Sequence, residues 1–449
     1  MPDDAPQPTS PDPSFATLLA QHPHLHLTPQ GLAFEGVALS AIADAVGTPT
    51  WVYSATTLTD RLGAFRGALQ AAGLNASIHY AMKANDSLSV LRTLAAQNIG
   101  ADIVSEGELR KARAAGFAAG GIVFAGVGKR APEIRLALAE GIFQFNAESA
   151  EEVEMLSAIA VAEGRTAKVA LRVNPDVDAG THDKISTGRA GDKFGIAAEE
   201  IPALYAHAAR LPGVELTGLA LHIGSQITGL AGYRAAYARL AELARGLMAA
   251  GLAVPRLDCG GGLGISYRGQ DVPTPAAYAA VVRETLGGLG LPLMFEPGRW
   301  LVGPAGVLLA GVTLQKRNRT HRFVILDAAM NDLIRPSMYG AWHGIVPLAA
   351  AHHAAPLSLA EVVGPVCESG DHFARGRSLP EFAPGDRVAF LDAGAYGQVM
   401  SSTYNGRPLA AEVMVKEAAW AIVRERQDFQ ALLEHDRLPP WLAPHLANS

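Results

Sequence analysis

The chain reads as an α/β protein: a (β/α)8 barrel of the TIM type, followed by a C-terminal all-β domain that forms a small β-barrel or sandwich. Three features predict this. Between about Thr50 and Pro297, short apolar runs alternate with helical periodicity eight times, the count and length of such a barrel. The runs SIHYAM, VALRV, LTGLALHI and LPLMF are continuously apolar, as parallel strands covered on both faces must be. From Ala305 the amphipathic helices stop, and β-rich runs take over between Gly, Pro and polar turns. An open doubly wound sheet is the alternative that periodicity alone leaves open.

The elements follow in order. The opening MPDDAPQPTSPDPS is acidic and Pro-rich, so residues 1–22 are expected to be a disordered tail and not a signal peptide. HLHLTPQGLAFEGVAL, in residues 23–49, is β-like and is expected to join the C-terminal domain. The barrel is placed at residues 50–304. Its first helix carries Leu58, Leu62, Phe65 and Leu69 at spacings of three and four, which gives one apolar face. Strand-like runs then end near Met82, Val104, Ala125, Phe145, Val173, His222, Cys259 and Glu296. Helical segments such as Ser87–Gln97, Glu106–Ala115 and Pro132–Glu140 follow the first seven. Residues 305–430 hold GVLLAGVTLQ, HRFVILDA, RVAFLDA and AEVMVKEAAWAIV. The basic group Lys316, Arg317, Arg319 and Arg322 between two of these runs reads as a solvated hairpin turn. Residues 431–449, ending in PPWLAPHLANS, read as a tail.

Composition excludes several classes. With 49% hydrophobic and 18% charged residues, the 449-residue chain can bury a sizeable core. A net charge of -6, from 37 basic and 43 acidic residues, leaves no footprint for nucleic acid or an anionic membrane. The stretch 336–360 lacks Asp, Glu, Lys and Arg, but His343, His352, His353, Pro347 and Pro356 within it suit a loop in water and not a membrane span. Two cysteines, Cys259 and Cys367, cannot form a disulfide framework or a four-cysteine zinc site. They suit a reducing cytoplasm.

In such a barrel the active site lies where the strands end. Strand one delivers Lys83, strand two Ser105 and Glu108, and strand three Gly126 and Lys129. Strand four delivers Asn146, strand five Arg172 and Asn174, and strand six His222 in HIGSQ. Strand seven leads into CGGGLG and strand eight into EPGR. A lysine at a barrel mouth can lose its charge by desolvation and attack a carbonyl, forming a Schiff base, although a solvated surface lysine is the plainer reading. Gly260, Gly261 and Gly262 can bring backbone N–H groups close to an anion, or simply make a tight turn. Ser225 and Tyr396 could add hydroxyls to the same phosphate. Glu296 could be a structural cap or a partner for a pyridine nitrogen, and His222 could stack on a planar ring. Lysine, phosphate nest and carboxylate together describe a pyridoxal phosphate (PLP) site. A carboxylate keeps the ring nitrogen protonated, which suits loss of CO2.

HYAMKAN, ADIVSEGEL, FAGVGK, RVNPDVDAGTHDKISTG, KFG, HIGSQ, CGGGLGISY, EPGR, RPSMYGAWH, GPVCESGD and DAGAYG occur in order from about residue 30 to 425. In these motifs the chain resembles the diaminopimelate decarboxylases, PLP enzymes of fold type III in the alanine racemase/ornithine decarboxylase superfamily. The resemblance implies a head-to-tail homodimer with shared active sites, and conversion of meso-2,6-diaminopimelate to L-lysine and CO2, the last step of lysine biosynthesis. It implies that Lys83 carries PLP, that His222 stacks on the ring, and that Gly260, Gly261, Gly262 and Ser225 bind phosphate. Glu296, Pro297, Gly298 and Arg299 would line the cofactor, with Glu296 on the pyridine nitrogen. Arg299, Arg335 and Tyr339 would bind substrate carboxylate, Glu368 the distal amine, and Tyr396 both phosphate and substrate. Cys367 would reach in from the partner subunit and protonate the carbanion. One departure is Glu106 in SEGEL, where the family pattern has glycine; it puts the local turn in doubt.

Diaminopimelate presents a second amino-acid centre, so recognising it takes a cation and an anion, which Arg335 and Glu368 offer. Within the superfamily the rivals are a decarboxylase of ornithine, lysine or arginine and, disfavoured by Glu296, a racemase. Outside enzymology the rival is a catalytically dead binding protein, against which Lys83, Glu296 and Cys367 argue. A barrel lacking PLP is a further alternative. Cys259 is read as a buried filler.

Overall fold

The computed structural model describes residues 12–177, 188 and 191–442. Eight parallel strands close into a barrel: Ala76–Ala81, Gly100–Ile103, Ile122–Phe124, Gln144–Ala147, Ala167–Asn174, Val214–Leu221, Arg256–Asp258 and Leu293–Phe295. Each pairs with its neighbours in sequence, and the last pairs with the first through Leu293↔Ala76 to Phe295↔Ile78. This closure rules out the open sheet.

The helices form as local chemistry requires. Ser54, Ser105, Ser149 and Thr274 each cap a helix by accepting a backbone N–H in its first turn. Gly116 and Gly141 end two helices in the left-handed conformation that a side chain disfavours. On helix Ala55–Ala71 the predicted face Leu58, Leu62, Phe65 and Leu69 is buried, with Phe65 packed on Tyr278, Phe295 and Trp300. Each such side chain contributes roughly 1.5–3 kcal/mol.

The second domain is a mixed sheet centred on Gly306–Arg317, which pairs with Arg322–Leu326, Arg387–Phe390 and Thr50–Ser54. Thr50–Ser54 also pairs in parallel with Ala411–Lys416. That strand was assigned to the barrel from the sequence; it lies in the second sheet, with hydrogen-bond partners some 250 to 360 residues further along the chain. Leu25–Thr28, Gly31–Phe34 and Val37–Ala38 form their own three-stranded sheet. Its Leu25, Leu32 and Phe34 pack with Val307, Leu309, Leu391 and Val413 of the C-terminal domain.

Three further expectations change. Residues 15–19 of the expected N-terminal tail form a helix whose Leu18 is buried against the second domain, because one apolar side chain there finds an apolar pocket. Residues 1–11 and 443–449 of the two tails lie outside the described residues. Arg317 and Arg322 do face each other across a hairpin, but Arg322 is buried and donates to the carbonyls of Ser358, Leu359, Leu379 and Pro380. The stretch 336–360, read as a loop in water, contains the buried strand Ile345–Pro347 and the buried His343.

Candidate active site

Lys83 sits in a single helical turn, Met82–Ala84, directly after the first barrel strand. Its Nζ donates to Asp102 Oδ2 at 2.7 Å, and Asp102, on the next strand, is fully buried. Burial alone would depress the Lys83 ammonium. Asp102, Tyr396 and Glu296 reverse that and hold it above the ordinary lysine range. The sequence argument for a lysine discharged by desolvation is therefore overturned, because the strand beside it supplies a counter-charge.

Lys83, Arg172, His222, Ser225, Arg299, Arg335, Tyr339 and Tyr396 line one cavity of about 450 Å3, closed on other sides by Tyr267, Arg268, Trp342 and Phe194. Strand ends of the barrel supply the first five of these, and the second domain supplies Arg335, Tyr339 and Tyr396. Tyr396 adopts φ 55, left-handed backbone that costs a non-glycine residue energy, and its N–H donates to Ala84 O at 2.7 Å. That bond fastens the second domain to the turn carrying Lys83.

The loops after strands six, seven and eight are locked together. Gln226 Nε2 donates to Ile265 O at 2.6 Å, and Ile265 N–H returns a bond to Gln226 Oε1 at 3.1 Å. Glu296 N–H donates to Gly260 O at 2.8 Å, and a Cβ on Gly261 would collide with the Glu296 carbonyl. Gly261 is thus required by close approach of backbone. Two N–H groups of the glycine run are engaged inside the protein: Gly260 donates to Asp258 Oδ1 at 2.9 Å and Gly261 to His222 Nδ1 at 3.2 Å. Burial, Arg172 and Lys83 push His222 well below its ordinary pKa, so it is a neutral imidazole and can accept that bond.

Below the cavity lies a buried file of polar groups. Thr217 donates to Gln144, Gln144 to Asn146 at 2.7 Å, and Asn146 to Asp258 at 2.8 Å and Glu296 at 3.5 Å. Burial, with Asp102 and Asp258 close by, pushes Glu296 well above the usual carboxylate range. Burial also raises Asp258, which shares a hydrogen bond with Glu296. Asp102 and Glu296 thus act on Lys83, with Asp258 behind Glu296, and Asp102 Oδ1 has no hydrogen-bond partner among the described residues. A protonated ring nitrogen is the cation this cluster is short of, and the residues fit PLP on that ground. The sign of the pH effect follows. A carboxyl held above its unfolded value binds more protons when folded, so stability falls as pH rises from about 4 towards neutrality. Cofactor-free Asp258→Asn is expected to gain thermal stability over the cofactor-free parent as pH rises from 4.5 to 7; parallel melting curves would exclude the strained acid pair.

Arg299 donates to Tyr267 Oη at 2.8 Å and Ser225 Oγ at 3.0 Å, and lies 4.7 Å from the Tyr396 ring centroid. Arg335 lies 4.8 Å from the Tyr267 ring centroid and 2.7 Å from His343 Nε2. His343 Nδ1 contacts Leu391 O at 2.8 Å and so carries the proton, leaving Nε2 to accept from Arg335. Nε of both arginines is buried without a partner among the described residues.

Pro297 and Gly298 lie behind Lys83, Pro297 O accepting from Ala81 N–H at 3.2 Å and Gly298 packing on Ala81 and Ala84. Cys367 and Glu368 do not join the cavity: Cys367 is exposed, and Glu368 accepts from Gly370 N–H in a turn. Cys259 is buried. The segment RVNPDVDAGTHDKISTG lies partly outside the described residues. Glu106 leaves its turn intact, since Ser105 still caps the helix and Glu106, in its first turn, pairs with Arg110 at 2.7 Å. Asp102, Asp258, Tyr267 and Trp342 were not singled out from the sequence. A lone acid within each of the buried runs ADIV and RLDC was the available signal for the first two.

Comparison with known proteins agrees with this geometry. Residues 56–303 match the family model described as the pyridoxal-dependent decarboxylase, pyridoxal binding domain. The diaminopimelate decarboxylase of Zymomonas mobilis is 48% identical over 415 residues, 92% of this chain and 98% of the relative. That of Pseudomonas aeruginosa is 47% identical over 406 residues, 90% and 97% of the two chains. Among solved structures, the Helicobacter pylori diaminopimelate decarboxylase complexed with L-lysine superposes with a TM-score of 0.84 at 37% identity, covering 88% of this chain and 98% of that one. The M. jannaschii enzyme in complex with L-lysine gives 0.89 at 32%, covering 94% and 99%. A lysine–acid couple at the mouth of a barrel, an acid cluster beneath it and these relatives together establish that the chain belongs to the diaminopimelate decarboxylases, PLP-dependent enzymes.

Proposed function

We propose that the chain converts meso-2,6-diaminopimelate to L-lysine and CO2, working in a reducing cytoplasm as a homodimer whose sites draw residues from both copies. The observation that carries the reading is the set of charges in one cavity: Lys83 paired with Asp102, Glu296 below, and Arg299 and Arg335 on the wall.

PLP, when bound, supplies the sink for the electron pair released as CO2 leaves. Lys83 would hold the cofactor through Nζ, and Asp102 sets the position and the proton of that nitrogen. Glu296, oriented by Asn146 and Asp258, would hold the ring nitrogen, and neutral His222 would hold the ring face. Gly262, Ser225, Arg299 and Tyr396 would hold the phosphate, with Gly260 and Gly261 shaping the loop that would present it. Arg299, Arg335 and Tyr339 bind carboxylate. Arg335, held by neutral His343, suits the distal carboxylate, since a buried guanidinium with an unused N–H is matched by a planar anion.

Cys367 and Glu368 of a second copy complete the site, Glu368 reading the distal ammonium and Cys367 delivering a proton to the reacting carbon. Their exposure on one copy agrees with that placement. Among the described residues no helix is long and apolar enough to cross a membrane. The test is direct: PLP-loaded protein is given meso-diaminopimelate, ornithine, lysine and arginine, and CO2 and L-lysine are measured. Release of L-lysine from diaminopimelate alone supports the reading; preference for ornithine, or no turnover by protein that keeps its PLP band, overturns it.

A further inference from the structure

The N-terminal segment crosses the seam between the two domains at the rim of the cavity. Asp12 accepts the Ser378 N–H at 3.0 Å and lies 3.5 Å from Arg377 Nε, both on the second domain. Its other oxygen lies 3.9 Å from Arg268, on the loop after barrel strand seven. One carboxylate thus bridges an arginine from each domain. Both guanidiniums sit against the Trp342 ring, Arg377 at 4.2 Å and Arg268 at 5.3 Å from its centroid, and Trp342 lines the cavity. Arg377 continues inward: its Nη1 donates to His343 O at 2.7 Å, and His343 accepts from Arg335.

The segment is anchored independently of Asp12. Ser14 caps the short helix Phe15–Leu19, Leu18 is buried beside Gly344, and a Cβ on Gly269 would stand 3.2 Å from Thr17 Cγ2. Asp12 is therefore delivered by a segment touching both walls of the rim.

We propose that Asp12 is a positioning residue for substrate: it holds Arg268 and Arg377 around Trp342 and, through His343, fixes Arg335. The physical reason is mutual repulsion. Two cations stacked on one indole, one of them almost fully buried, need a shared anion to stay there. Burial and Arg268 depress the Arg377 pKa to about 10, and Asp12 works against that loss. Arg377 bonds the same residue that fixes Arg335, so its displacement loosens a substrate-binding arginine without touching Lys83 or Glu296.

The inference rests on the proposed substrate, and the test separates the two. In full-length, PLP-loaded protein, Asp12→Asn and Asp12→Ala are expected to raise KM for meso-diaminopimelate and Kd for L-lysine roughly tenfold, with kcat within about twofold of the parent. Asp12→Glu should recover most of the loss. A 5-fluorotryptophan resonance, assigned to Trp342 by its disappearance in Trp342→Phe, should shift in Asp12→Asn with no ligand present. If the parent does not turn over diaminopimelate, the substrate reading fails while the resonance still tests the clamp. An unmoved resonance overturns the clamp. So do unchanged KM and Kd in both variants, including the case where only the melting temperature falls.

Discussion

Lys83→Ala is expected to lower release of L-lysine from meso-diaminopimelate at least about 10^3-fold, because the variant loses the covalent tether and a proton carrier together. The structure adds a second effect. Asp102 is fully buried, and without the lysine its charge has no partner at 2.7 Å. Breaking a buried pair on one side costs several kcal/mol; here a third of the lysine side chain faces the open cavity, so about 1–3 kcal/mol is the better figure. Asp102→Asn added to Lys83→Ala should therefore restore thermal stability and leave activity absent. Steady-state assays and melting curves on the parent, both single variants and the double variant decide it. Activity retained by Lys83→Ala removes the lysine from the chemistry, and a double variant no more stable than Lys83→Ala removes the buried-charge argument.

What the sequence disclosed and concealed follows one physical line. Lys83, Arg172, His222, Ser225 and Arg299 were legible because barrel strands end at a common face, so a residue's place after a strand predicts its place in space. All five line one cavity. Arg335 and Tyr339 carry no such positional rule; they came from the likeness of RPSMYGAWH to a family. Asp102 and Asp258 stayed hidden inside runs whose apolar character made them look like ordinary strand. What distinguishes them is a partner 19 residues away for Asp102 and 112 for Asp258. Thr50–Ser54 was misplaced for the same reason, since strand propensity says nothing about the partner strand. The N-terminal segment was misread by composition: proline and acid dominate it, yet Leu18 and Asp12 each find a specific site. The three glycines were legible as a tight backbone, and the inward use of two of their N–H groups was not.

Subunits carrying Lys83→Ala and subunits carrying Cys367→Ala should each be nearly inactive, the second through loss of a proton donor worth about 10^2–10^4-fold. Mixed, dissociated and reassociated one to one, they should recover about a quarter of the parent's activity. The arithmetic comes from twofold symmetry. About half of the dimers are mixed, and each mixed dimer has one site holding both lesions and one holding neither. The outcome follows from the proposed homodimer, since on its own copy the thiol is exposed and outside the cavity that holds Lys83. Mixing without recovery, although subunit exchange is shown by a mass-tagged partner, would mean that Cys367 serves its own chain or no chain. Recovery of about a quarter, lost when the second partner also carries Lys83→Ala, would place lysine and thiol of each working site on different copies. Glu368 lies next to Cys367 in the same turn, so Glu368→Gln paired with Lys83→Ala should complement in the same way, with its defect in KM and not in kcat.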